Sequence, residues 1–181
     1  MNKRIRFAAI DLDGTLFDNH SRISPHNQEI IEKCIAQGVT IVIATGRPYA
    51  GLPMEELSRL GVRYAITANG AAVYALPEKN CIYESCFSPD VICPILRELQ
   101  QQEIHLDIFV NGEGYSLNDC IPRIDRMDMP ESIRTYIKKT RFLTDDLAAL
   151  VENEQLAVQK AVANFYPLPD GSFLYRDEAI R

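Results

Sequence analysis

Nowhere in the 181 residues do about 18 apolar residues run together, the length a helix needs to cross a bilayer, so no transmembrane helix is expected. Positive charge is also short. Lys and Arg number 19 against 25 Asp and Glu, a net charge of −6, which argues against nucleic acid or an acidic membrane surface as the main partner. Nothing resembles a signal peptide: Lys3, Arg4 and Arg6 precede only a short apolar run that ends in acids. The five cysteines (34, 81, 86, 93 and 120) are odd in number and follow no metal-ligand spacing. They read as free, buried or half-buried thiols of a reducing cytoplasm. Internal repeats and low-complexity segments are absent as well. What remains is a soluble, cytoplasmic globular composition, 46% hydrophobic and 24% charged, enough for one domain or two small ones.

The order of elements is informative. "IRFAAI" (5–10) reads as a short buried strand. A helix follows, with Ser24 as N-cap, Pro25 in its first position, Gly38 as its stop and Ile30, Ile31, Cys34 and Ile35 as an apolar stripe. "VTIVIA" (39–44) is a second buried strand, a helix spans roughly 49–60, and "YAIT" (64–67) is a third strand. Strand, helix, strand, helix, strand at this spacing predicts right-handed crossovers and a parallel sheet of order 3-2-1. After residue 70 the texture becomes α+β. A hairpin turns around Pro77–Asn80, and a helix capped by Ser88 contains Pro94, which would kink it or delay its start. A second hairpin turns within Asn111–Gly114. Two helices fall within 129–152, the first near Pro130 and the second opening at Thr144–Asp145; "QKAVANFY" is a strand and "PLPDGS" a turn. The domain boundary is placed near residue 86, with 1–86 as one part and 87–181 as the other.

Two polar clusters end adjacent strands: Asp11–Thr15 after the first and Thr45–Arg47 after the second. The carboxyl rim of an open α/β sheet is where ligands bind. Asp11 and Asp13, two positions apart where the chain turns, can aim at one pocket, and Gly14 lets the backbone curl its N–H groups into an anion nest. Thr45 and Gly46 would open the next helix and offer a hydroxyl and free amides to a phosphate oxygen. Magnesium takes hard oxygen ligands and bridges carboxylate to phosphate. Together these point to phosphoryl transfer, with a nucleophilic Asp, an acid/base Asp, a metal and N–H donors. A calcium loop is excluded because Gly14 is fourth from Asp11, where an EF-hand needs glycine sixth.

"DLDGTLFDN" resembles the first motif of the haloacid dehalogenase superfamily, and "IVIATGRP" resembles its second. With "ITANGAAVY" the pattern is similar to the Cof-type phosphatases, which insert a large α+β cap of C2 type after the third core strand. The resemblance implies an α/β fold: a haloacid dehalogenase-like Rossmannoid parallel sheet, here strands 1–3, with an α+β cap. It implies a Mg²⁺-dependent phosphatase of small phosphorylated metabolites working through an aspartyl-phosphate. Asp11 would be the nucleophile and a metal ligand. Asp13 would be the acid and base, with its backbone carbonyl on the metal. Thr45, Gly46, Arg47 and Gly14 would bind phosphate, and Asn69 and Gly70 would sit near the pocket and the cap hinge. Tyr115, Phe109 and Asp107 are candidates for substrate contact, although hairpin packing is the stronger reading. His20, His26 and His105 read as surface or capping residues, and Asp18, Asn19 and Ser21 as residues that shape the loop after the first motif.

The pattern is incomplete. The resemblance also implies a lysine and a further acidic motif after the cap, and neither occurs before Arg181. Asn118–Asp119, Asp145–Asp146, Lys138, Lys139 and Lys160 all read as cap residues. A sheet order of 5-4-1-2-3 would then lack strands 4 and 5, leave strand 1 as an edge, and deprive Mg²⁺ of its outer carboxylates. The expectation is a fragment of a longer protein, a chain whose strand 1 edge is covered by a second copy, or an inactive relative serving as a binding module.

Overall fold

The computed structural model describes residues 5–18 and 20–167. It forms two compact units that divide between Ser85 and Cys86. The first is a five-stranded sheet: β1 (Phe7–Ile10), β2 (Thr40–Ala44), β3 (Tyr64–Thr67), β4 (Ala72–Ala75) and β5 (Asn80–Glu84), hydrogen-bonded in that order. β1, β2 and β3 run parallel; β4 and β5 continue the sheet antiparallel. The parallel crossovers are α1 (Pro25–Ala36) and α2 (Met54–Leu60). Ser24 caps α1, its hydroxyl accepting from the Asn27 amide at 3.2 Å. Ile31 of α1 and Leu57 and Leu60 of α2 pack into one core with Ile41 and Ile43 of β2, Ala65 of β3 and Tyr74 of β4. Those four strand residues share one face of the pleat. Apolar alternation therefore sets the helix-covered side, and the strand ends are left to carry polar loops.

Two expectations for this unit are corrected. β1 is not a buried strand: Phe7 and Ala9 are exposed, and Phe7 keeps 57% of its surface open. Among the described residues β2 is its one partner and its other edge is unpaired. The segment after β2 is not one helix from 49 to 60. A single 3₁₀ turn, Tyr49–Gly51, precedes α2, because Pro48 and Pro53 interrupt the backbone ladder.

The second unit is a four-stranded sheet of order β8 (Arg141–Thr144), β7 (Glu113–Leu117), β6 (Ile104–Val110) and β9 (Lys160–Phe165). Its helices are α3 (Pro89–Leu99), α4 (Cys120–Arg123), α5 (Glu131–Thr140) and α6 (Leu147–Glu154). Pro94 neither delays nor breaks α3. The β6–β7 turn is Asn111–Gly112, both with positive φ, the conformation a two-residue hairpin requires, and Gly114 lies inside β7. Leu106, Ile108 and Val110 of β6 pack against α3 and α6. The opposite face of β6 carries His105, Asp107 and Phe109, all buried. His105 is thus a core residue rather than a surface one. Cys81 is exposed, unlike the buried or half-buried thiol expected, and the five cysteines are free. Asn19 and most of the "PLPDGS" turn lie outside the described residues. No helix among the described residues is long and apolar enough to cross a membrane.

Candidate active site

The site is built by three loops that leave the carboxyl ends of β1, β2 and β3. After β1 the chain makes a turn with two successive i→i+5 hydrogen bonds: the Leu16 amide donates to the Asp11 carbonyl (3.2 Å) and the Phe17 amide to the Leu12 carbonyl (2.9 Å). Leu12 and Leu16 are buried and pin this turn, whereas Asp11, Asp13, Gly14 and Thr15 are exposed. Gly14 has φ +78°, a left-handed conformation that costs a glycine nothing. The amides of Gly14 and Thr15 lie within this turn, directly after the β1 terminus, where an anion would meet them. The Thr15 hydroxyl donates to Asp11 Oδ2 at 3.2 Å and orients that carboxylate. Phe17 and Ile23 then close a small loop, inside which Asp18 accepts from the Arg22 and His20 amides. Those two amides hold the Asp18 carboxyl below its ordinary value, the Arg22 amide most strongly.

The second and third loops are tied together. Thr45 is buried, its amide donates to the Ile66 carbonyl at 2.9 Å, and its Oγ1 accepts from the Arg47 amide at 3.2 Å. That arrangement leaves the Thr45 hydroxyl proton as a donor. The carbonyls of Thr45 and Arg47 accept from the amides of Asn69 (3.2 Å) and Ala68 (2.9 Å). These bonds hold Ala68, Asn69 and Gly70 in three successive left-handed conformations. The expected helix opening at Thr45–Gly46 is not there; the two residues sit in a loop clamped from the neighbouring strand.

Asp11, Thr45, Gly46, Asn69 and Gly70 line one open cleft of about 350 Å³, together with Ala44 and Ile66. Five of the eight residues singled out in the sequence thus share one concavity. Arg47 goes elsewhere. Its Nε and Nη2 donate to the two carboxylate oxygens of Asp13 at 2.8 and 2.6 Å, and its Nη1 donates to the Gly51 carbonyl at 3.1 Å. Its guanidinium lies 5.1 Å from the Phe17 ring centre. Thr15, Phe17 and Gly51 are the contributors that sequence reasoning left out of the site. Only Thr15 carried a signal, as a hydroxyl four residues after Asp11.

The Asp11 carboxylate and the Asp13 main-chain carbonyl are hard oxygen donors of the kind Mg²⁺ takes. No group of three or more His, Cys, Asp or Glu is gathered for a metal among the described residues. The donors fit Mg²⁺ in type, and they form a partial set.

The site is thus an α/β sheet with two carboxylates just past the strand 1 terminus, a threonine hydroxyl at the strand 2 terminus and the Asn69–Gly70 turn at the strand 3 terminus. The chain belongs to the haloacid dehalogenase-like hydrolase family, whose model matches residues 8–170. It is 26% identical over 113 residues to the phosphatase YwpJ of Bacillus subtilis (strain 168), covering 62% of this chain and 39% of that one. A solved haloacid dehalogenase-like hydrolase from B. subtilis superposes with a TM-score of 0.73 at 20% identity, over 92% of this chain and 63% of that one. The sugar phosphatase BT4131 superposes with a TM-score of 0.64 at 21% identity, over 83% of this chain and 56% of that one. The chain spans about half the length, or less, of the first curated relatives it matches: 51%, 39% and 43%.

Proposed function

We propose that the Asp11 cleft is the phosphoryl-transfer centre of a Mg²⁺-dependent phosphatase for small phosphorylated metabolites, working through an aspartyl-phosphate. One observation carries this reading: the Asp11 carboxylate shares a single cleft with the Thr45 hydroxyl and the Gly46 loop. Gly14 and Thr15 follow Asp11 in the same turn. A carboxylate attacks a phosphate only if the oxygens' charge is matched by donors. In the first step an Asp11 oxygen forms a bond to phosphorus as the bond to the leaving oxygen breaks, and Asp13 supplies the proton to that oxygen. In the second, Asp13 takes a proton from water, whose oxygen attacks phosphorus and releases phosphate and free Asp11. The Thr45 hydroxyl and the Gly14 and Thr15 amides hold the equatorial oxygens through both. Mg²⁺, held by the Asp11 carboxylate and the Asp13 carbonyl, would neutralise phosphate charge. The kinship with YwpJ and BT4131 supports a phosphomonoester substrate, a sugar phosphate among the candidates.

Hydrolysis of an aryl phosphate by the full chain, with and without Mg²⁺ and beside Asp11→Asn, tests this. Turnover that requires both the metal and Asp11 is the expected result. Folded protein that hydrolyses no faster than Asp11→Asn sinks it. A second reading is favoured by the edge of β1 that is unpaired among the described residues, where Phe7 is exposed and Ile5 and Ile30, also exposed, line a groove of about 510 Å³ with Ala8, Ile10, Ile31 and Cys34. In that reading the chain pairs β1 with β1 of a second copy and binds phosphate without turning it over.

A further inference from the structure

We propose that Arg47 is a positioning residue for Asp13 and not a ligand of the transferred phosphate. The observation is the fork. Both carboxylate oxygens of Asp13 are taken by the Nε and Nη2 edge of Arg47, the bidentate geometry that only a guanidinium provides. The remaining surfaces of that guanidinium are also fixed, Nη1 on the Gly51 carbonyl and the planar face beside the Phe17 ring. The backbone of Arg47 is fixed as well: its amide donates to Thr45 Oγ1, and its carbonyl accepts from Ala68. Arg47 is therefore tied to all three site loops.

The burial of the pair is unequal. The Arg47 side chain keeps 10% of its surface exposed and the Asp13 side chain 41%. The inner partner is the scaffold, and the outer one is presented to solvent. A phosphate that recruited the fork of Arg47 would have to break two charge-assisted bonds and release Asp13 from its orientation. With the fork on Asp13, the carboxylate is held in one rotamer before substrate arrives, so its ordering is not deferred to the reaction. An Asp two residues beyond the nucleophile, on an exposed turn, has no other side-chain partner of this kind among the described residues.

The functional consequence rests on the phosphatase reading above, so the test has one arm that needs turnover and one that does not. The second arm follows the ¹H–¹⁵N resonance of the Arg47 Nε–H in the full chain during titration with inorganic phosphate and Mg²⁺, with saturation read from the Thr45 and Gly14 amides. The expected result is a resonance that Asp13→Asn shifts or broadens and that phosphate leaves in place. A resonance that moves with phosphate, or that ignores Asp13→Asn, overturns the proposal whether or not the chain is an enzyme. In the kinetic arm, Arg47→Lys keeps the charge and loses the fork. It should lower kcat on an aryl phosphate by about 10²-fold while KM and the inhibition constant of phosphate stay within about 2-fold. On an Asp13→Asn background the same substitution should add no more than about 2-fold. A rise of about tenfold or more in KM and the phosphate constant, with kcat kept, would assign Arg47 to the phosphate instead. A chain without turnover defeats the phosphatase reading alone, because the Nε–H resonance still reports on the pair.

Discussion

Asp107, a sequence candidate for substrate contact, makes a sharp stability prediction instead. Its Oδ2 accepts from Arg141 Nε at 2.9 Å, its Oδ1 accepts from the Ser116 hydroxyl, and His105 Nε2 lies 3.0 Å from the same oxygen without hydrogen-bond alignment. Both members of the ion pair are nearly sealed, at 4% and 3% exposure. Removing one member of such a pair costs ~3–5 kcal/mol, while replacing both with apolar groups of similar volume is often neutral or stabilising. Arg141 keeps Thr140 Oγ1 (2.9 Å) and the Tyr136 hydroxyl (3.3 Å), so Asp107→Leu belongs near the lower end, ~3 kcal/mol. For a unit of this size that is a drop of about 12–24 °C in Tm. Asp107→Leu with Arg141→Met should recover most of it. Urea unfolding of the full chain combined with hydrogen exchange at the β6 and β7 amides measures the cost and places it in the second unit. The pH dependence has a fixed sign. Burial would raise the Asp107 carboxyl, but the His105 and Arg141 contacts and the Ser116 hydroxyl outweigh it and hold the value below 3.8. The stabilisation is therefore full above about pH 4 and is lost as pH falls through the depressed native value. A single variant within ~1 kcal/mol of the parent, or a double variant as weak as the single one, refutes the account.

Thr45→Val removes the acceptor for the Arg47 amide and a hydroxyl donor in the cleft, so stability should fall by ~1 kcal/mol and inorganic phosphate should bind several-fold more weakly, both read by calorimetry. Gly14→Ala meets no atom within 4 Å, so its cost, ~1–2 kcal/mol in a urea titration, comes from the φ of +78° alone. Ala9→Lys places a charge on the exposed face of β1; sedimentation velocity should show less self-association than the parent, and equal self-association would remove β1 as the contact.

What the sequence makes legible follows from what local patterning encodes. Ser24 and Gly38 bracket α1 because caps and left-handed stops are written in single residues, and Asn111–Gly112 announces its own turn. The convergence of Asp11, Thr45 and Asn69 is legible because parallel strands put their carboxyl ends on one rim, and a polar residue at each end then has nowhere else to go. β8 and α4 are not legible. "RFLT" is four residues directly behind a helix with no turn signal between them, and "CIPR" contains a proline that argues against helix. His105 misleads for a related reason. Alternation puts it on the face opposite Leu106, and that face is lined with Ser116 and Arg141, which β7 and β8 bring to Asp107 from other parts of the chain. The Arg47–Asp13 fork is the same problem at the site. Thirty-four positions separate the partners, and sequence can place both on one rim while leaving the guanidinium free to choose between carboxylate and phosphate. The contacts that accompany the fork, the Gly51 carbonyl and the Phe17 ring, carry no charge to mark them in the sequence. Residues that do chemistry announce themselves by type; residues that aim them are recognised only by what they touch.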